Sequence, residues 1–168
     1  MAANNIELPE SMKVRTLDDQ LMNVPGKFIK ESEVLMKALE SNDGSSIDES
    51  IVPAKAEYLA NAIKALDLCD LSTPHALGTQ KTERTAFAEA NKRVLDFFKS
   101  LPDMEMFHIT DAADALKIPR LIDLCLVFFL DRADGKDTKA LRKEFDLRDD
   151  YTEQEEADIR KAHEVAAQ

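Results

Sequence analysis

The chain has no tryptophan, two tyrosines, four glycines and two cysteines in 168 residues. Four scattered glycines cannot build the Gly-rich loop that cradles phosphate groups. Cys69 and Cys125 both sit in apolar sequence and read as small buried thiols rather than as a disulfide or metal pair, which implies a reducing intracellular compartment. Long hydrophobic runs are also missing. The longest, Leu124 to Leu130, falls far short of the roughly 20 residues a membrane span needs. Met1 to Asn5 carries neither the basic nor the apolar stretch of a secretory signal. Positive charge is scarce: 22 Lys+Arg against 33 Asp+Glu give a net charge of −11. That sign is wrong for a phosphate backbone and is repelled by anionic lipid, so no nucleic-acid and no membrane partner is expected.

Chemistry-bearing motifs are absent too. There is no CxxC, HExxH or EF-hand loop, and His75, His108 and His163 lie far apart without carboxylates at ligand spacing. No metal and no cofactor are expected. With no nucleophile–base pair, no catalytic residue is expected, and the chain is not read as an enzyme.

What is present is a pattern of elements in a chain long enough to bury a core. Met1 to Glu10 is a polar lead. Two short alternating runs, from Met12 to Arg15 and from Leu21 to Val24, flank Asp18-Asp19 and predict a β-hairpin. Pro25-Gly26 ends it. Leu35, Ala38 and Leu39 predict a helix over 33–40. The polar stretch 41–50 is a loop, and Ile51-Val52-Pro53 suits a short edge strand. Helices are expected over 55–70, 82–101 and 103–116, the last with Met106, Ile109, Ala112, Ala113 and Leu116 on one side. The next helix starts at Pro119, a residue preset for a first turn, and is apolar nearly all round from Leu121 to Leu130.

Beyond Gly135 the sequence changes in kind. Two short charged helices are expected, one around Leu141 and Phe145. The second opens with the capping box Thr152-x-x-Glu155 and carries Ile159, Ala162, His163 and Ala166 on a weak apolar side. Helices of this length are marginal alone and must dock on something. They either cap the domain's own core or shape an apolar groove for a partner protein. The surplus apolar surface of the Leu121–Leu130 helix favours the groove.

Gly135-Lys136-Asp137-Thr138-Lys139-Ala140-Leu141-Arg142-Lys143-Glu144-Phe145, continuing through Leu147, Tyr151 and Thr152 to Glu156, resembles the C-terminal signature of the Skp family. These are the S-phase-kinase-associated adaptors of cullin-type ubiquitin ligases. Ala112-Ala113-Asp114-Ala115-Leu116-Lys117-Ile118, with Leu121 and Asp123, looks like a second family run. Residues 12–40 are similar to the hairpin-plus-helix opening of the family.

The resemblance implies an α/β fold: a BTB/POZ domain over 11–133, a lead over 1–10, and a C-terminal helical F-box-binding extension over 134–168. It implies an adaptor that links F-box substrate receptors to a cullin scaffold in an SCF-type ligase, promoting ubiquitin-dependent degradation, in cytoplasm and nucleus. Carried over, the F-box-protein-binding residues are Leu121, Leu124, Phe128, Leu141, Phe145, Leu147, Tyr151 and Ile159, with Arg142, Lys143, Arg160 and Lys161 as a polar rim. The cullin-binding residues are Asp111, Asp114 and Ala115. Departures from the family pattern are specific. Its two usual tryptophans correspond to Val165 and to about Val94, its Thr-Pro is Asp137-Thr138, and its cullin-facing Asn-Tyr pair is Asp114-Ala115. That last change favours an alternative: a self-associating BTB-type scaffold, a homodimer through the F-box-binding surface, that does not engage the cullin.

Overall fold

A computed structural model describes residues 8–41, 50–76, 80–148 and 150–166. The first seven residues of the expected lead, residues 42–49 of the expected acidic loop and residues 77–79 around Gly78 lie outside the described residues.

The hairpin forms where the alternation predicts it. Strands β1 (Ser11–Arg15) and β2 (Leu21–Pro25) pair antiparallel, with Met12 opposite Val24 and Val14 opposite Met22. Met12, Val14 and Val24 point into the core, while Lys13, Leu21 and Asn23 are exposed, as a period of two requires. The aspartate pair makes the turn. Asp19 adopts φ 58°, a left-handed conformation that aspartate tolerates better than most residues. Asp18 accepts hydrogen bonds from the Thr16 hydroxyl at 2.6 Å and from the Ala56 backbone N–H at 2.9 Å. These bonds, the Thr16 hydroxyl first, hold its carboxyl below the usual aspartate range. Strand β3 (Ser50–Ile51) lies parallel to β1 and at the edge, giving the order β2-β1-β3.

Helix α1 (Gly26–Glu31) follows directly where the sequence suggested only a break. Gly26 is required by close approach: a Cβ there would lie 2.3 Å from the Pro9 carbonyl oxygen. Helix α2 (Glu33–Ser41) is started by the buried Ser32, whose hydroxyl accepts from the Leu35 N–H at 3.2 Å and donates to the Leu116 carbonyl at 2.6 Å. Helix α3 (Ala56–Asp67) buries Leu59, Ala62 and Leu66. The single helix expected over 82–101 is two, α4 (Lys81–Ala90) and α5 (Lys92–Lys99). The break is Asn91, whose side-chain amide donates to the Phe87 carbonyl at 2.8 Å, offering the backbone an alternative to helix continuation. Helix α6 (Asp103–Ala115) buries Met106, Ile109, Ala112 and Ala113, the face its periodicity marks.

Helix α7 (Pro119–Ala133) begins at its proline. Its Arg120 is buried, with Nε 2.9 Å from the Glu31 carboxylate and terminal nitrogens donating to the Asp70 and Thr73 carbonyls at 3.3 and 2.8 Å. One helical turn on, Asp123 pairs with His75 Nε2 at 2.7 Å. Cys69 and Cys125 are free thiols, each pushed up to about 11 by burial.

Two compact units divide the chain, Met1–Phe129 and Leu130–Gln168, with the division inside α7. The first holds the sheet and the hydrophobic core. The second comprises the end of α7, α8 (Thr138–Glu144) and α9 (Glu153–Ala166). The α/β class stands in the coarse sense that the described residues are mostly helical with one small sheet. No helix among the described residues is long and apolar enough to cross a membrane.

Candidate functional site

Gly135, at φ 72°, turns the chain out of α7 through a conformation that side chains resist. Asp137 then caps α8, accepting from the Ala140 N–H at 2.8 Å. The end of α8 is tied back within the same unit. Arg132 donates from Nε to the Glu144 carboxylate at 2.8 Å and lies over the Phe145 ring at 5.2 Å. Asp146, at φ 50°, reverses the chain, and the Leu147 N–H closes onto the Arg142 carbonyl at 2.8 Å.

The capping box forms as the sequence indicates. The Glu155 carboxylate accepts from the Thr152 N–H at 2.8 Å, and the Thr152 hydroxyl accepts from the Glu155 N–H at 3.3 Å. The first of these bonds lowers the Glu155 carboxyl below its ordinary range. Arg142 of α8 ion-pairs with Glu156 of α9, and Arg160 approaches the same carboxylate at 3.5 Å. The Arg142 hydrogen bond is the main cause of a lowered Glu156 carboxyl. Arg142, expected at a solvated rim, is therefore half-buried in an internal pair, while Lys143, Arg160 and Lys161 are exposed.

None of the described side chains from Asp134 to Glu164 is buried. Leu147 is 58%, Tyr151 53% and Ile159 41% exposed. Leu141 and Phe145 are half-buried, and Leu141 lies with Ala157 in a groove of about 600 Å³ between α8 and α9.

In the first unit, the three carried-over residues of α7 are interior. Leu121, Leu124 and Phe128 belong to the hydrophobic core, Phe128 edge-on to Phe98 at 5.7 Å. The exposed face of this helix is instead Leu126, and on α6 Met104 and Phe107 are exposed as well. Phe107 stacks on Phe129 at 5.4 Å. Leu126 lies in the run that the sequence suggested was tightly buried, so its exposure is a correction, and Met104 and Phe107 were passed over. The signal available was that Met104 and Phe107 repeat at i, i+3 off the face assigned to the core. Leu130, at the start of the second unit, is also exposed. Of the residues expected to face a cullin, Asp111 and Asp114 are exposed and Ala115 is half-buried; Asp114 pairs with Lys117 at 2.8 Å. No group of three or more His, Cys, Asp or Glu side chains among the described residues could hold a metal.

Residues 119–166 match the family model described as "Skp1 family, dimerisation domain". Curated relatives extend the likeness along the chain. "SKP1-like protein 20" of Oryza sativa subsp. japonica is 23% identical over 177 aligned positions, covering 98% of this chain and 98% of the relative. The "E3 ubiquitin ligase complex SCF subunit sconC" of Talaromyces stipitatus is 26% identical, covering 88% of this chain and 92% of the relative. The "S-phase kinase-associated protein 1 homolog" of Tetrahymena thermophila is 25% identical, covering 92% and 93%. The family model falls on the helices that carry the C-terminal signature, and the relatives span most of the rest, so the resemblance to the Skp family is borne out at 23–26% identity.

Proposed function

We propose that this chain is a non-catalytic adaptor subunit of an SCF-type ubiquitin ligase, holding an F-box substrate receptor through its C-terminal helices and a cullin through a BTB/POZ-type domain. The observation that carries the reading is the exposure of Leu147, Tyr151 and Ile159 on a two-helix tail with no buried side chain among its described residues. Full burial of a large apolar side chain is worth roughly 1.5–3 kcal/mol, and these three are about half exposed, so covering each adds about half of that and together they supply the centre of an interface. The family model over residues 119–166 and the SCF-subunit names of the relatives support the same assignment.

On this reading the receptor contact comprises Leu141, Phe145, Leu147, Tyr151 and Ile159. Leu121, Leu124 and Phe128 take no part in it, because they belong to the core of the first unit. Residues 11–133 form the BTB/POZ domain and 134–168 the receptor-binding extension. Asp111, Asp114 and Ala115 face the cullin. Because Lys117 already holds Asp114, the negative charge there is partly compensated. The protein works in the cytoplasm and nucleus.

Co-expression with an F-box fragment and, separately, a cullin N-terminal fragment tests the reading. Recovery of both complexes supports it; failure of the F-box complex at micromolar concentration overturns it. The second reading is self-association through the same uncovered residues without a cullin, which the Asp114-Ala115 substitution favours. Light scattering decides it: a dimer that an F-box fragment does not dissociate supports the scaffold, and a monomer at high concentration removes it.

A further inference from the structure

The most exposed aliphatic side chains of the first unit stand at one end of the sheet, on the face turned away from the core. Leu21 of β2 and Ile51 of β3 are both in register with Arg15 of β1, so the three form one row across the sheet. Ile51 is 72% and Leu21 57% exposed. Leu17, two residues beyond Arg15 and tied by its N–H to the Ala54 carbonyl at 3.0 Å, is 64% exposed. Two large aliphatic groups in register with one arginine, and a third exposed two residues further along the chain, are more than scattered surface residues require.

Among the described residues, no strand pairs with the edge beside this row. Thr16 donates to the Gln20 carbonyl at 2.9 Å and Gly26 donates to the Glu10 carbonyl at 2.9 Å. Antiparallel pairs alternate, so the bonded pairs between them are Met12–Val24 and Val14–Met22. The N–H and C=O groups of Leu21 and Asn23 therefore point away from β1, toward the outer side of β2, which is an outer strand. A guest strand can take up those groups.

Charge says what kind of guest fits. On a chain of net charge −11, the outward positions among the described strand residues carry Lys13 and Arg15 and no carboxylate. Arg15 is paired with Asp19 of the turn at 2.6 Å, but Lys13 has no ion pair among the described residues. Lys13 stands in register with Asn23, next to the outer edge.

We propose that the outer edge of β2 and the sheet face beside it dock an extended segment of a partner protein that carries an aliphatic side chain and, two residues away on the same face, an acidic one. Its backbone pairs with Leu21 and Asn23, an aliphatic side chain continues the Ile51–Arg15–Leu21 row, and an acidic one reaches Lys13. The surface belongs to the first unit, and the proposal does not rest on the adaptor reading.

The test uses the full chain, amide NMR and two synthetic hexapeptides blocked at both ends, one with valine and glutamate two residues apart and threonine between them (Val-Thr-Glu-Thr-Val-Thr), and one with lysine in place of the glutamate. The acidic peptide should shift the amides of Leu21, Asn23 and Lys13 saturably and slow hydrogen exchange at Leu21 and Asn23 at least tenfold. The lysine peptide should do neither. Leu21→Lys should abolish the response, and Lys13→Glu should weaken it several-fold without altering the rest of the spectrum. Equal response to both peptides, or no response at millimolar peptide, overturns the proposal. So does a Leu21→Lys change that converts a dimer to a monomer, since a second copy would then be the occupant. F-box binding by the Leu21→Lys chain reports separately on the adaptor reading and should be unchanged.

Discussion

Arg142 and Glu156 form the ion pair that joins α8 to α9 within the C-terminal unit, with both side chains half-buried. A tail without buried side chains of its own thus sets the spacing between Leu141 on one helix and Ile159 on the other by charge and capping rather than by core packing. Glu156→Gln should leave the first unit intact and weaken a receptor complex several-fold. Thermal melts and F-box titration of the same variant check the two halves of that statement.

The acidic dependence of the tail has a definite sign. Glu155 and Glu156 both have carboxyls held below the ordinary range, by the Thr152 N–H and by Arg142 respectively. A group lowered on folding contributes fully above its unfolded value, about 4.3 for glutamate, and that contribution is lost as pH falls through the lower folded value. Amide shifts at the start of α9, around Glu155 and Glu156, should therefore be constant from neutral pH to about pH 5 and move below it. In Glu156→Gln the Arg142 part of that movement disappears.

On α7 the two faces predict opposite outcomes. Phe128 is buried against Phe98, so Phe128→Ala should cost about 3–5 kcal/mol in urea unfolding. Leu126 is exposed on the same helix, and Leu126→Asp should change stability by no more than about 0.5 kcal/mol.

That contrast shows where the sequence was readable. The hairpin was legible because alternation and two turn aspartates agree, and α6 because Met106, Ile109 and Ala113 recur at helical spacing among polar residues. The run Leu124-Cys125-Leu126-Val127-Phe128-Phe129-Leu130 has no polar residue to mark the outer side. Its helical character was plain, but which of its side chains face the core was not. Helix α1 escaped because Pro25-Gly26 reads as a terminator, while Gly26 is fixed by its approach to Pro9. The tail's internal pairs, Arg132 with Glu144 and Arg142 with Glu156, join residues 12 and 14 apart, a separation no local periodicity reports.

Arg120 is a long-range link of the same kind. It satisfies Glu31 and two carbonyls from a buried position. Arg120→Met should destabilise by about 3 kcal/mol or more, because it leaves a poorly solvated carboxylate unpaired. Adding Glu31→Leu should recover part of the loss. Urea midpoints at unchanged m value measure both steps.

With both thiols near 11, alkylation by iodoacetamide at pH 8 should run roughly a hundredfold slower in the native protein than in guanidinium, with Cys125 the slower of the two. Mass spectrometry of the quenched reaction resolves the two sites.

The measurement closest to the central claim is titration of an F-box fragment against the wild-type chain and against Tyr151→Asp. Saturable binding at micromolar concentration or tighter, weakened at least tenfold by the substitution with the circular dichroism of the free protein unchanged, is the predicted result. Absent binding to the wild type, or equal affinity of the two chains, would contradict it.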